Sequence, residues 1–552
     1  MSGLPRLLGW TAVALALASL AGDCGGGNGG GSTPVVEIDS PDPRCVALPD
    51  PLGFPPGYDF FPERQGRVLA TTFSNSALVP LDVRQEPFVV PDGAEVTELP
   101  ADADGDGCDE IFPPLIDDVT ALGRSLAGVT TSAYETVLFA NARGGLAEVE
   151  LAMPAAPVDP DFDRSAEVDP REFLLWPEAG TSARRTGLPN FTCIVPRDGA
   201  VDSRGDPIDP VAPQGDPCTP ALVRSCPQDR SSYYANFTSG VTVAAGRLFV
   251  AVSNLGADRG ETDTQYFPAA LTVYAWDDSA SPPRATPIAT PDGGAFLLGS
   301  EGAYNYTHVQ TVESEGGRTW VVATATGAIG IVEDDPDTED FEAGAVRLGD
   351  GVVDVFDPEA LQLVARYPLR DANPAFSGLA VDPSGRAAAV GDVTAKQVYV
   401  LDLTALDALP DPPVPGAAPV RLAHAVLFDG RDPLEVPSVR AGAPEASCPG
   451  RIETLAWNDA GDRLYALEVC DGSLTGFGFL SSEGAPRRED FVLGRTVAVT
   501  APLRADTLGL PRQPSRLRVR PGRPGVDFSG PDLFFLVSEP EALLCGIDVE
   551  SE

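Results

Sequence analysis

The apolar residues of this chain fall in short runs that alternate with polar positions, separated by corners rich in Gly, Asn and Asp. Such runs predict strands joined by tight turns. One pattern recurs: a turn, often Gly-Arg, followed by an alternating apolar strand. It reads Gly66-Arg67-Val68-Leu69, Gly246-Arg247-Leu248-Phe249-Val250, Gly317-Arg318-Thr319-Trp320-Val321 and Gly385-Arg386-Ala387-Ala388-Ala389-Val390. Weaker copies are Gly461-Asp462-Arg463-Leu464-Tyr465 and Gly530-Pro531-Asp532-Leu533-Phe534, and Tyr134-Glu135-Thr136-Val137-Leu138-Phe139 lacks the turn glycine. The anchors at 66, 134, 246, 317, 385, 461 and 530 lie about 70 residues apart, except for one interval of 112. A further strand follows many anchors and often ends in Asp, as in Val353-Asp354-Val355-Phe356-Asp357 and Val398-Tyr399-Val400-Leu401-Asp402. Others precede the anchors, as in Gly378-Leu379-Ala380-Val381 and Thr454-Leu455-Ala456-Trp457.

One such unit cannot bury both faces of its small sheet, whereas several arranged radially can, and a closed ring leaves only short edges. The expected fold is therefore all-β, a β-propeller of about seven blades. Two packed β-sandwiches would not require a fixed period. Residues 376–405, from Phe376-Ser377-Gly378-Leu379-Ala380-Val381-Asp382-Pro383-Ser384-Gly385-Arg386 to Val398-Tyr399-Val400-Leu401-Asp402, resemble the YVTN-type β-propeller repeat. The resemblance covers one blade well and the others loosely. It implies a scaffold shape more than a task.

Composition narrows the function classes. The 552 residues carry 38 basic and 81 acidic side chains, a net charge of −43. That argues against nucleic-acid binding and against adsorption to anionic headgroups. Hydrophobic content of 43% is enough for a real core, and 57 Gly with 55 Pro favour turns over long helices.

The N-terminus reads as an export signal over residues 1–23, with Arg6 before the apolar stretch Leu7 to Ala21. Leu20-Ala21-Gly22-Asp23-Cys24 resembles the bacterial lipoprotein pattern, which implies lipidation of Cys24, although Asp23 separates the small residues from the cysteine. The alternative is cleavage after Ala18 or Ala21 and release as a soluble periplasmic or secreted protein. Residues 24–60 are expected to be a Gly/Pro-rich tether, 61–552 the propeller, and about 154–232 an irregular Pro/Asp/Cys-rich insertion in it. If Cys24 carries lipid, eight cysteines remain for disulfides in an oxidising compartment. Cys448 and Cys470 flank a predicted hairpin about Asn458-Asp459-Ala460-Gly461 almost symmetrically, so they are expected to pair. The other six allow 15 connectivities. Among these a Cys45–Cys545 bridge is suggested, because a closed ring brings the chain ends together.

One loop carries recognisable chemistry. Asp102-Ala103-Asp104-Gly105-Asp106-Gly107-Cys108-Asp109-Glu110 offers carboxylates at positions 1, 3 and 5, a glycine at 6, the Cys108 carbonyl at 7 and Glu110 at 9. Calcium takes six to eight oxygens, and three carboxylates this close repel without a cation. Position 12 is Pro113, which excludes an EF-hand. The segment looks like the shorter DxDxDG loops of FG-GAP propeller repeats, which implies structural calcium on Asp102, Asp104, Asp106, Cys108 and Glu110.

No nucleophile elbow, P-loop, zincin or dinucleotide signature occurs, and His308 and His424 read as structural histidines in strands. The expected function is an exported cell-envelope lipoprotein whose propeller binds or scaffolds a protein, glycan or small-molecule ligand, with no nucleic acid. It meets the membrane, at the outer membrane or cell surface, through its lipid alone. The alternative is an exported lactonase-like hydrolase using a divalent metal in the central channel.

Overall fold

A computed structural model describes residues 44–48, 57–60, 67–72, 77–83, 97–98, 116–123, 136–142, 145–150, 182–185, 193–203, 205–210, 226–227, 229–235, 238–256, 265–277, 284–291, 294–325, 329–332, 345–348, 351–369, 379–392, 396–422, 434–436, 452–468, 472–480, 484–498, 514–519, 533–537 and 543–547. Among them are seven sheets of four or five strands, each a meander that runs outward from an inner strand. In chain order the inner strands are Gly57–Phe60, Ile116–Gly123, Thr238–Ala244, Tyr306–Glu313, Leu379–Val381, Ile452–Trp457 and Pro514–Val519. The second strands are Arg67–Thr72, Thr136–Ala142, Arg247–Val252, Thr319–Ala325, Ala387–Gly391, Arg463–Glu468 and Leu533–Val537. Every repeat anchor read from the sequence thus becomes the second strand of a sheet, one of the two paired on both sides.

Each inner strand lies against the inner strands of the sheets before and after it, and the seventh lies against the first. That cycle makes the molecule a β-propeller, with the seven sheets compatible with the expected blade number. The core sits between sheets rather than within one central mass. Trp320, Val355 and Tyr367 of the fourth sheet pack with Ala388, Val390 and Leu401 of the fifth. Ala389 and Val400 of the fifth pack with Trp457, Leu464 and Phe477 of the sixth. Leu467 and Leu474 of the sixth pack with Leu533, Phe535 and Ile547 of the seventh. Leu536 and Leu544 of the seventh pack with Val68, Val79 and Leu81 of the first.

The chain ends close the ring. Leu543–Ile547 is the third strand of the seventh sheet, and its outer neighbour is Arg44–Ala47, with Cys45 opposite Cys545. These two cysteines form a disulfide across 500 residues of sequence, as suggested from ring closure. In the chain-entropy account so long a loop is worth about 6 kcal/mol. The expected tether boundary at residue 60 is corrected by this arrangement. Arg44–Ala47 and Gly57–Phe60 are strands of the last and first sheets. Surrounding Gly and Pro obscured two apolar runs of only four residues. Likewise Ser182–Arg185, inside the expected insertion, is the outer strand of the second sheet, where a strand needs no apolar alternation.

The repeat has a physical cause. Gly246, Gly317, Gly385 and Gly461 occupy the first turn of their sheets at φ between 68° and 76°, a region that favours glycine. A Cβ on Gly385 would collide with the Glu313 carbonyl of the preceding sheet, so two sheets meet there through bare backbone. The arginine that follows reaches forward. Arg247 donates to the Pro358 and Glu359 carbonyls, between the third and fourth strands of the next sheet. Arg318 donates to Leu409 and Pro410 at 2.8 and 3.2 Å and lies 4.2 Å over the Trp320 ring. Arg386 donates to Gly484, also one sheet on, at 3.0 Å. The recurrent Asp ending the third strand closes the turn that presents these carbonyls. Asp357 Oδ1 accepts from the Glu359 and Ala360 amides, and Asp402 Oδ1 from the Thr404 amide and hydroxyl.

Candidate functional site

Among the described residues each inner strand pairs only on its outward side, so the wall about the ring axis is made of strand edges. On the third and fourth sheets this wall is knitted by hydroxyls. Thr311 Oγ1 donates to the Val243 carbonyl at 2.7 Å, and its amide donates to Thr242 Oγ1 at 3.1 Å. The two hydroxyl oxygens are 2.8 Å apart, which leaves Thr242 the donor between them. Gly240 permits the approach, since a Cβ there would sit 3.1 Å from Val309 Cγ1. Thr307, His308 and Gln310 are half-buried on the same strand, where the register shifts between Tyr306 and His308. This stretch is polar and carries hydroxyl, amide and imidazole groups. Among the described residues no group of three or more His, Cys, Asp or Glu is placed to hold a metal ion.

A second surface is built where the segment between the second and third sheets returns to the ring. Cys193 and Cys226 are joined by a disulfide, and Cys193–Ile194 pairs with Tyr233–Tyr234. Ile194, Ile208, Tyr233 and Ala235 bury against Val252, Ala270 and Phe296 of the third sheet. The Tyr233 ring stacks on Phe267 at 4.9 Å. Its hydroxyl and the Asn254 amide group donate to one carbonyl, that of Pro268, at 3.0 and 2.7 Å. Ser203 and Tyr266 exchange two bonds, amide to carbonyl at 2.9 Å and amide to hydroxyl at 3.0 Å. The described part of the segment is a docked cap, fixed by a core it shares with the third sheet.

The connection from the third to the fourth sheet completes this face. Tyr304, half-buried, donates to the Val201 carbonyl at 3.1 Å. Burial raises its phenol, and the Asp202 and Glu301 carboxylates add to the rise. Burial also pushes the Tyr266 phenol up to about 12. Both phenols therefore stay protonated, and Tyr304 serves as a hydrogen-bond donor rather than a base. The loop is positioned from beneath by Asp354, which is fully buried in the third strand of the fourth sheet. Its Oδ2 accepts from the Tyr306 hydroxyl at 2.7 Å and the Ser300 amide at 2.9 Å. Burial raises the Asp354 carboxyl, opposed by its Ser300 and Tyr306 bonds and by Arg366 on the adjacent strand. Gly299 is required there, because a Cβ would lie 2.7 Å from the Tyr306 oxygen. Sequence reading passed over Asp354, although one acid inside Val352-Val353-Asp354-Val355-Phe356 is the mark of a buried polar anchor.

Several residues singled out from the sequence, Cys24, Asp102, Asp104, Asp106, Cys108, Glu110, Cys448, Cys470 and His424, lie outside the described residues. The strands flanking the predicted hairpin, Ile452–Trp457 and Arg463–Glu468, do pair about Asn458–Gly461.

No family model matches this sequence, and no curated protein matches it. Among solved structures, the Dos1 propeller is similar over 93% of this chain and 96% of its own, at 10% identity and a TM-score of 0.40. The periplasmic gluconolactonase PpgL of Pseudomonas aeruginosa is similar over 56% of this chain and 68% of its own, at 15% identity and a TM-score of 0.31. Kuenenia stuttgartiensis hydrazine synthase is similar over 75% and 80%, at 12% identity and a TM-score of 0.34. With scores this low, the fold is read from strand order and ring closure in the chain itself.

Proposed function

We propose that this protein is an exported cell-envelope propeller, anchored through a lipid on Cys24, that acts by binding. The ligand would meet the face over the third and fourth sheets. One observation carries the reading: the disulfide-linked segment around residues 193–235 is docked by aromatic stacking and reciprocal backbone bonds onto loops of the ring. Loops held on a rigid closed scaffold are where recognition is commonly placed. The face offers neutral phenols, hydroxyls and carboxylates, a set suited to a hydroxyl-rich glycan or a cationic peptide. The Cys45–Cys545 and Cys193–Cys226 disulfides support an oxidising compartment.

Binding to arrays of neutral oligosaccharides and of Lys/Arg peptides tests the reading. A ligand whose affinity falls at least tenfold in Tyr304→Ala supports it. Metal-dependent lactone hydrolysis with binding indifferent to Tyr304 would replace it with the hydrolase alternative. For the anchor, detergent partitioning of wild type against Cys24→Ser decides: loss of the detergent-phase form in the variant supports lipidation, and an aqueous wild type contradicts it. We also propose that Asp102, Asp104, Asp106, Glu110 and the Cys108 carbonyl hold one structural calcium. Calorimetric titration should show uptake that Asp104→Ala abolishes.

A further inference from the structure

The outer strand of the sixth sheet, Phe491–Ala498, pairs with Ser473–Phe479 and, among the described residues, with no strand on its far side. Val492 and Leu493 on it are 48% and 51% exposed, and neighbouring Leu480 is 70% exposed. The Leu480 amide is bonded to the Asp490 carbonyl, which fixes this apolar group at the rim. An unpaired strand edge beside exposed aliphatic groups is a template for another strand.

Two features of the ring indicate which strand. On the fourth sheet the outer edge is already covered. Val420–Arg421, from the connection that leaves the fifth sheet after its third strand, lies parallel on Gln362–Leu369 with Val420 opposite Ala365. An edge is thus covered by chain from the following sheet. The sheet following the sixth is the seventh, whose outer strand is Arg44–Ala47. The chain in the corresponding place is the segment that leads into Arg44. It reads Thr33-Pro34-Val35-Val36-Glu37-Ile38-Asp39-Ser40-Pro41-Asp42-Pro43, with a β-branched, alternating core at Val35-Val36-Glu37-Ile38-Asp39. With residues 35–39 docked, the chain from Asp39 to Arg44 reaches up to roughly 18 Å when extended. Strand direction alternates alike in every sheet, so Arg44 and Phe491 begin their strands at the same end of the ring. A segment running into Arg44 would therefore pass Phe491–Ala498 antiparallel. A second copy of the chain is the weaker occupant, because a net charge of −43 opposes self-association.

We propose that residues 35–39 add to Phe491–Ala498 as an antiparallel edge strand and cover Leu480, Val492 and Leu493. The docking does not depend on the export reading. With Cys24 lipidated it leaves residues 24–34 as free tether, a root-mean-square reach of about 18 Å. That holds the rim of the sixth and seventh sheets toward the bilayer.

Hydrogen exchange by mass spectrometry on the full mature chain tests this. Amides of 35–39 and 491–498 should exchange at least tenfold more slowly in wild type than in the double variant Val36→Lys, Ile38→Lys. Leu493→Lys should release 35–39 reciprocally, while Arg463–Glu468 stays protected in both, separating edge release from unfolding. Equal exchange at 491–498 in wild type and the double variant overturns the proposal. So does protection that grows with protein concentration, which would assign the edge to a second copy.

Discussion

In the third, fourth and fifth sheets the arginine after the first-turn glycine binds backbone carbonyls of the next sheet. Arg318 joins two carbonyls of the next sheet, lies within 4.0 Å of Asp357 and covers Trp320. Replacing it with Met should lower stability by about 2 kcal/mol, since the carbonyls lose a charged donor. Lys keeps the charge but not the two-pronged geometry, so Arg318→Lys should lose about 1 kcal/mol. Thermal denaturation of both variants checks the order. Gly385→Ala should be worse, at least about 3 kcal/mol, because it adds strain at positive φ to a collision with the Glu313 carbonyl. Asp354 gives a pH signature. Its folded-state pKa is raised by burial, so the carboxyl favours its neutral form when folded. Its contribution is most favourable below the ordinary carboxylate range and is lost as pH rises through the folded value. Asp354→Asn keeps an acceptor for Ser300 and Tyr306 without the buried charge. It should melt higher than wild type at pH 7–8, with the difference shrinking below about pH 4, whereas Asp354→Ala should melt lower throughout. The Gly-Arg turns were legible as turns because glycine and alternation are local signals. Their cross-sheet partners were not, because nothing within one unit says which backbone carbonyl the next unit brings near.

Among the elements, the second strands were easiest to read. Ala387–Gly391 and Thr319–Ala325 are buried almost throughout and carry continuous apolar sequence. Two strands at the rim were misplaced, and so was the inner strand Gly57–Phe60. Arg44–Ala47 and Ser182–Arg185 are short outer strands with one neighbour each, and little in their sequence distinguishes them from loop. The cap was legible only as an interruption rich in Pro, Asp and Cys. Its docking through Tyr233 on Phe267 depends on a contact 34 residues distant in sequence, which spacing cannot supply. The disulfide should matter locally. Cys193→Ser with Cys226→Ser should open the cap to limited proteolysis near residues 193–235 while the rest of the ring remains resistant. Cleavage spread across all seven sheets would mean the cap is part of the ring's global stability.

For the molecule as a whole, stability comes from sheets covering one another in a cycle, so a break anywhere exposes two apolar faces. The acidity adds a uniform cost. With 81 acidic against 38 basic residues, self-repulsion should be relieved by salt, and the melting temperature should rise between about 0.01 and 0.5 M NaCl as the screening length shrinks. A flat response would place the acidic groups where they do not repel. The ring closes where Arg44–Ala47 pairs with Leu543–Ile547, and Cys45 faces Cys545 across that seam. Peptide mapping of the oxidised, exported protein without reduction reads the seam directly. A linked peptide pair containing Cys45 and Cys545 is the expected result. Cys45 recovered free, or linked to any other cysteine, would contradict a ring joined by its two ends.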